Sequence, residues 1–164
     1  MASDTPRTLS EAAQRVQDAL LADGFTNTVI ELDVPVKTAA AAAEAVGCSP
    51  AQIVKSLIFR GTNSGTPVLV VASGGDRISE AKLGLLMGEP VAMAPPKLVR
   101  EVTGFAIGGI PPIGHAQCLD TLVEARLLSL GGLWAAAGHP NSLFALKPDE
   151  LVRMTRGRVA ELAE

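Results

Sequence analysis

Aromatic residues are scarce in this sequence. Its 164 residues include four phenylalanines, one tryptophan and no tyrosine, which together make up 3% of the chain. A core built from this sequence must therefore be filled mainly by valine, leucine, isoleucine and alanine. The same shortage argues against the kind of RNA-binding sheet that stacks bases on aromatic side chains.

Basic residues are also too few for one large class of partner. The formal net charge is −3 at pH 7, and no run of lysine or arginine is present. Tight binding of a long nucleic-acid duplex requires many phosphate contacts, so we expect no DNA partner. Binding the end of a nucleic acid needs only a few such contacts, so the composition does not exclude a partner bound by its end.

Long apolar runs are absent too, since none approaches the roughly 20 residues that span a bilayer. The first ten residues are polar, which is not typical of a secretory signal. We therefore predict a cytoplasmic location and no membrane partner.

Cysteine and histidine occur twice each, which is too few for a disulfide framework. His115 and Cys118 are close in sequence, but Cys48 and His139 are far from them and no Cys-x-x-Cys pair occurs. Structural zinc sites usually show such paired spacings. The sequence therefore predicts no metal and no cofactor.

Hydrophobic residues make up 48% of the chain, enough for one globular domain with a substantial core. Helical patterns are mixed with hairpin patterns along the sequence. This mixture predicts the α+β class, as a single domain with a mixed, largely antiparallel sheet and flanking helices. We expect residues 1–7 to be a loose N-terminal tail and residues 8–164 to be the domain.

Helices are predicted where apolar residues repeat at helical spacing behind a capping residue. Thr8-Leu9-Ser10-Glu11 fits a capping box for the first helix, which Gly24 closes. Thr38 and Ser79 are suited to cap two later helices. After the first helix, the predicted helices are 38–46 and 79–86, which Thr38 and Ser79 cap, and 96–102 and 148–154. A short helical turn is predicted at Ser49-Pro50.

Strands are predicted where short apolar or β-branched runs lie between turn residues. Two pairs of runs predict hairpins, across residues 62–65 and across residues 138–141. Residues 127–130 are ambiguous, and a short terminal element is expected at 158–162. The predicted strands are 28–34, 53–60, 67–73, 91–94, 104–108, 119–123, 133–137 and 142–146.

Residues 104–115 contain four glycines and two prolines. Glycine allows a ligand to approach the main chain closely, and Pro111-Pro112 fixes the backbone in an extended shape. We expect a stiff loop with bare peptide N–H groups near Gly108 and Gly109. Successive N–H groups of this kind bind an anion or a polarised carbonyl oxygen. The alternative is a strand that ends in an ordinary Gly/Pro turn.

Lys55 is the most informative charged residue. It alternates with Ile53, Leu57 and Phe59 on one face of a predicted strand. A lysine on an apolar face must either reach water or meet an anion, so one interpretation is a cation aimed at a phosphate or carboxylate. The alternative is an edge-strand lysine that discourages aggregation.

Three segments carry a resemblance to a known family. They are residues 52–57 (Gln-Ile-Val-Lys-Ser-Leu), residues 104–114 with the Gly-x-x-x-Pro loop, and Ala137-Gly138 followed by residues 143–151. In order and spacing they resemble the YbaK/prolyl-tRNA-synthetase-associated editing domain family. The resemblance runs from about residue 25 to 160.

This resemblance implies a YbaK-like fold and hydrolysis, in trans, of the ester that joins a wrong amino acid to the terminal ribose of a tRNA. The implied partners are the acceptor end of mischarged tRNA and an aminoacyl-tRNA synthetase. In the family the loop holds the aminoacyl group, and the lysine helps to place the terminal nucleotide. When the roles in the family are transferred to the matching positions of this sequence, the implied catalytic residues are Lys55, Gly108 and Gly109. The implied substrate-binding residues are Ile110, Pro111, Pro112, Gly138 and His139.

The sequence departs from the family at one position. Many relatives carry a serine before the Ala-Gly pair, where this chain has Ala136. The resemblance therefore does not identify the amino acid that the substrate carries. Two other functions stay open as well: a non-catalytic module that binds aminoacyl-tRNA ends or a synthetase, and a small hydrolase of another ester or amide.

Overall fold

A computed structural model describes residues 8–34 and 36–164, so the predicted tail at residues 1–7 lies outside the described residues. The helices are α1 (Glu11–Ala22), α2 (Ala39–Val46), α3 (Glu80–Met87), α4 (Pro96–Thr103) and α5 (Pro148–Thr155), with 3-10 turns at Pro50–Gln52 and Ala125–Ser129. The strands are β1 (Val29–Glu31), β2 (Ile53–Gly61), β3 (Pro67–Ser73), β4 (Val91–Met93), β5 (Asp120–Glu124), β6 (Leu133–Ala136), β7 (Ser142–Leu146) and β8 (Arg158–Ala160).

Side-chain hydroxyls set the starts of the first three helices. Thr38 caps α2 and Ser79 caps α3, as predicted. The cap of α1 is Ser10, so the predicted capping box that starts at Thr8 is wrong. The main-chain N–H of Ser10 donates to the Glu31 carboxylate at 2.6 Å, which ties the start of α1 to β1.

The strands form one mixed sheet in the order β1-β7-β6-β2-β3-β5-β8, and β4 pairs with β2 off this path. The predicted hairpins β2–β3 and β6–β7 are antiparallel, as are β1–β7 and β2–β4. The pairs β2–β6, β3–β5 and β5–β8 are parallel and require crossover connections. The predicted α+β single domain with a mixed sheet and flanking helices is confirmed.

Apolar residues cover both faces of this sheet. On β3, Leu69 and Val71 belong to the cluster that α1, α4 and α5 cover, whereas Val68 and Val70 belong to a smaller cluster with α3. All four side chains are at most 3% exposed. A third cluster joins α2 to the start of β2 through Ile53. The core is mainly aliphatic, as the composition predicts.

The central strand β2 has one interrupted edge. β3 pairs along one side of β2. On the opposite side β6 pairs with Ile53 and Val54, and β4 pairs with residues 59–61. Residues 55–57 therefore have no strand neighbour on that side within the described residues. This gap in the sheet determines where the candidate site lies.

Two predicted elements need correction. Residues 104–108 are not a strand, because Gly104 ends α4 in the left-handed region at φ 80°. The Thr103 hydroxyl then accepts a hydrogen bond from the Phe105 N–H at 3.0 Å and turns the chain. The strand expected at 28–34 is limited to the three residues of β1. Of the segment 127–130, for which the sequence favoured no element, residues 127–129 lie in a 3-10 turn.

Among the described residues, no helix has the length and apolar character needed to cross a membrane.

Candidate active site

A cavity of about 350 Å³ lies at the interrupted edge of β2. This volume is within the range of pockets that hold small molecules. Its walls come from β2, the start of α2, the loop after α4, the ends of β4 and β6, and the turn before β7. The lining residues are Val36, Lys37, Thr38, Ala39, Ala42, Ile53, Val54, Lys55, Ser56, Leu57, Ile58, Gly74, Met93, Ala94, Val99, Ile107, Gly108, Ile110, Ala136, Pro140 and Leu143.

The charged side chains in this lining are those of Lys37 and Lys55. Within the described lining there is no aspartate, glutamate, histidine or cysteine. The cavity is therefore cationic, and it offers no carboxylate, imidazole or thiolate as a general base or nucleophile.

Lys55 lines the cavity from the middle of β2. Its ammonium donates a hydrogen bond to the main-chain carbonyl of Asp76, in the turn after β3. Burial lowers the pKa of Lys55, while the Asp76 carboxylate raises it and Arg77 lowers it further. An ammonium carries three donors, so donors remain for a ligand. β2 lies inside the sheet, but Lys55 belongs to its segment 55–57, which has no strand neighbour on one side within the described residues. The alternative of an edge lysine that discourages aggregation therefore stays a prediction.

The glycine-rich loop contributes Gly108 and Ile110 to the lining. Among the described residues, the main-chain N–H groups of Gly108 and Ile110 have no hydrogen-bond partner. The Gly109 N–H instead donates to the Ala106 carbonyl at 3.1 Å. The bare N–H expected at Gly109 is therefore not present, whereas the one at Gly108 is.

Gly109 and Gly138 mark a close crossing of two main-chain segments. The Gly138 N–H donates to the Gly109 carbonyl at 2.8 Å. A Cβ on Gly109 would lie 2.8 Å from the His139 nitrogen, and a Cβ on Gly138 would lie 2.8 Å from the Ala12 carbonyl. Both glycines are thus required by the packing of the main chain.

Pro111 and Pro112 are buried and do not line the cavity. The Nε2 of His115 is 2.7 Å from the Pro111 carbonyl, so Nε2 carries the proton and donates it. Burial lowers the pKa of His115, and the bond to Pro111 raises it. His115 therefore braces the loop through this hydrogen bond.

His139 is exposed and lies next to Pro140, which lines the cavity. Its Nδ1 shares a hydrogen bond with the Asn141 side-chain oxygen. Asn141 in turn donates to the Leu32 carbonyl at 3.2 Å. These contacts tie the imidazole to the turn at the border of the cavity.

The structure thus brings part of the predicted site together. Ala136 also lines the cavity, so the position where many relatives carry serine contributes no hydroxyl here. Of the predicted site residues, Lys55, Gly108 and Ile110 line the cavity, while Gly109, Pro111, Pro112, Gly138 and His139 lie outside its lining.

Ser56 is a candidate that the sequence reasoning missed. Its side-chain oxygen is buried and has no hydrogen-bond partner among the described residues, and the residue lines the cavity. Most buried hydroxyls are hydrogen-bonded. The available signal was a serine beside Lys55 in a strand that is otherwise apolar.

A second cavity, of about 690 Å³, is lined partly by Cys118, Asp120, Arg156 and Arg158. It contains none of the predicted site residues. Over residues 8–34 and 36–164, no group of three or more His, Cys, Asp or Glu is placed to hold a metal ion.

Comparison with known proteins adds three findings. Residues 33–154 match the model of the family described as "Aminoacyl-tRNA editing domain". The chain is 34% identical to the uncharacterized protein YwhH of Bacillus subtilis (strain 168), over 81% of this chain and 84% of that protein. It is 28% identical to the Enterococcus faecalis protein named "Putative Cys-tRNA(Pro)/Cys-tRNA(Cys) deacylase EbsC", over 76% of each.

Among solved structures, one similar chain is described as "Crystal structure of a putative trans-editing enzyme for prolyl tRNA synthetase". It is 45% identical in sequence, with a TM-score of 0.91 over 96% of this chain and 99% of that one. The mixed sheet with its flanking helices is thus the fold of that protein as well.

Proposed function

Because the chain belongs to the aminoacyl-tRNA editing domain family, we propose that it is a trans-editing hydrolase. It cleaves the ester bond between a wrongly attached amino acid and the 3′-terminal ribose of a tRNA. The relative named as a deacylase and the solved structure described as a trans-editing enzyme support this proposal. We assign the activity to a domain formed by residues 8–164, with the tRNA acceptor end and a synthetase as partners.

The chemical make-up of the cavity is the observation that carries the proposal. The cavity has two lysines, a buried hydroxyl without a partner and free main-chain N–H groups, but no carboxylate, imidazole or thiolate in its described lining. An aminoacyl ester is already activated, so positioning and oxyanion stabilisation can supply much of the rate. A substrate of this kind suits a site without a general base.

The Lys55 ammonium and the N–H groups of the loop then have distinct roles. The Lys55 ammonium binds the phosphate of the terminal nucleotide, as a charge-assisted contact. The N–H groups of Gly108 and Ile110 stabilise the oxyanion that forms on the ester carbonyl. The ribose hydroxyl beside the ester accepts the proton of the attacking water and passes its own proton to the departing ribose oxygen, so the protein need not supply a base.

The remaining wall of the cavity favours a small apolar amino acid. Ala39, Ala42 and Ala136 line it together with Val99 and Leu143. Binding alone discriminates poorly between small apolar side chains, because one methylene is worth only about 1–3 kcal/mol. A synthetase therefore mischarges with such amino acids, and a separate hydrolase is needed to remove them.

A deacylation screen over a panel of mischarged and correctly charged tRNAs tests the proposal. We expect release of free amino acid from one or a few mischarged tRNAs and little release from the correct ones. Binding of charged tRNA without release would instead indicate a non-catalytic module. Equal cleavage of small esters that carry no tRNA would indicate a hydrolase of a different class.

A further inference from the structure

The ammonium of Lys55 is held by a turn that has its own set of anchors. The turn follows β3, and its Asp76 carbonyl accepts the hydrogen bond from Lys55. On the other side of the turn, the Asp76 carboxylate contacts Arg126, with 2.9 Å between Oδ1 and Nη1. One residue thus meets Lys55 through its main chain and Arg126 through its side chain.

The start of this turn is fixed by close packing. The Ser73 hydroxyl donates to the Ala51 carbonyl at 2.7 Å, and the Gly74 N–H donates to the Ile53 carbonyl at 2.6 Å. A Cβ on Gly74 would lie 2.6 Å from the Ala39 Cβ. At the far end of the turn, the Asp76 N–H donates to the Ser73 carbonyl at 3.0 Å and the Arg77 carbonyl accepts from the Glu164 N–H at 2.8 Å. The contact of the Asp76 carboxylate with Arg126 is a further constraint there.

Arg126 is itself held in place by its main chain. Its N–H donates to a carboxylate oxygen of Glu124 at 2.8 Å, and Glu124 is 2% exposed at the end of β5. The Asp76 side chain is 16% exposed and that of Arg126 is 60% exposed. An ion pair with one exposed partner adds little to stability, so its effect should be on position.

We propose that Asp76 and Arg126 are positioning residues that hold the Lys55 ammonium at the cavity. The inference rests on the proposed function, in which Lys55 meets the substrate. When the pair is broken, the turn keeps its main-chain hydrogen bonds but loses the side-chain contact of Asp76, so the Asp76 carbonyl holds the ammonium less firmly. The loss of the Asp76 charge also removes an attraction on Lys55, which leaves the ammonium less well placed for a phosphate.

A double-mutant cycle on deacylation tests this role. We expect Asp76→Asn and Arg126→Gln each to lower kcat/KM roughly tenfold, and Arg126→Lys to recover part of the loss. In a Lys55→Ala background, the same two substitutions should change kcat/KM less than twofold. A purely structural role would give the same loss in both backgrounds. Melting temperatures identify any variant that fails to fold. If Asp76→Asn is unfolded, Arg126→Gln still tests the pair, because the Arg126 side chain is exposed.

Asp149→Asn is the matched control, because it removes the exposed Asp149–Arg153 pair at 3.4 Å, far from the cavity lining. It should leave deacylation unchanged. Full activity of Asp76→Asn and Arg126→Gln beside an impaired Lys55→Ala would overturn this inference alone. Full activity of Lys55→Ala would overturn both this inference and the proposed role of Lys55.

Discussion

The buried Ser56 hydroxyl has no hydrogen-bond partner among the described residues, so it does not stabilise the fold. A buried polar atom without a partner costs about 1–3 kcal/mol, and Ser56 is one of the residues that line the cavity. A substrate that donates or accepts a hydrogen bond there would recover that cost. We therefore propose that Ser56 meets a polar group of the substrate.

Ser56→Ala should separate activity from stability. Removal of the hydroxyl leaves no other group unpaired, so the melting temperature should stay the same or rise. Loss of one hydrogen bond to substrate should lower kcat/KM roughly two- to tenfold. Ser73→Ala is the comparison for stability, because the Ser73 hydroxyl has a partner at 2.7 Å, and its loss should lower the melting temperature. A fully active Ser56→Ala would remove Ser56 from the site.

In the loop after α4, the two adjacent glycines Gly108 and Gly109 have different roles. A Cβ on Gly108 would meet nothing within 4 Å, although φ there is 98°. A Cβ on Gly109 would strike the main chain of Gly138 and His139 at 2.8–2.9 Å. Gly108 belongs to the cavity wall, and Gly109 belongs to the crossing behind it.

Substitutions at the two glycines should therefore behave differently. Gly108→Ala should cost about 1–2 kcal/mol from the left-handed backbone and should reduce deacylation, since the methyl group is added at the cavity wall. Gly109→Val should lower the melting temperature much further, because the main chain at 138–139 must move. Thermal unfolding of both variants, beside their deacylation rates, checks this order. A stable Gly109→Val beside an unfolded Gly108→Ala would contradict it.

His115 gives the same loop a pH dependence. Burial lowers its pKa in the folded state, so the unfolded state binds the proton more readily. The stability contributed at this site is then present above the unfolded pKa of about 6.5 and is lost as the pH falls below it. The melting temperature should drop less between pH 7.5 and pH 5 in His115→Gln than in the wild type. Equal drops in the two proteins would show that protonation of His115 is not coupled to the stability of the fold.

At the scale of the whole molecule, the sequence predicted elements well where signals are local. Hydroxyl caps at Thr38 and Ser79 and the short apolar runs of β2 and β3 are signals that act within a few residues, and the structure confirms these elements. The strand expected at 104–108 was wrong because Thr103 and Gly104 turn the chain with their own hydrogen bonds and backbone geometry. Apolar composition alone does not reveal such a turn.

The site was only partly predictable for a similar reason. Lys55 and the glycine-rich loop were identifiable because their residue types are unusual in their surroundings. The interrupted edge of β2 arises from β4 and β6, which are distant in sequence from each other and from β2. The roles of Ser56, Asp76 and Arg126 depend on that arrangement, so no local pattern indicates them.

A comparison of three proteins tests the proposal that the cationic cavity hydrolyses aminoacyl esters. Deacylation of a mischarged tRNA is measured for the wild type, Lys55→Ala and Lys82→Ala. Lys82 is a matched control, because its ammonium also donates to a main-chain carbonyl, that of Ala163 at 2.7 Å, but it does not line the cavity.

Loss of the charge-assisted contact at Lys55 is worth about 1.5–3 kcal/mol. We therefore expect kcat/KM to fall roughly ten- to a hundredfold in Lys55→Ala, with the melting temperature close to that of the wild type. Lys55→Arg should recover activity only in part, because the guanidinium is larger and planar. Lys82→Ala should deacylate as the wild type does. A folded Lys55→Ala that releases the amino acid at the wild-type rate would contradict the account.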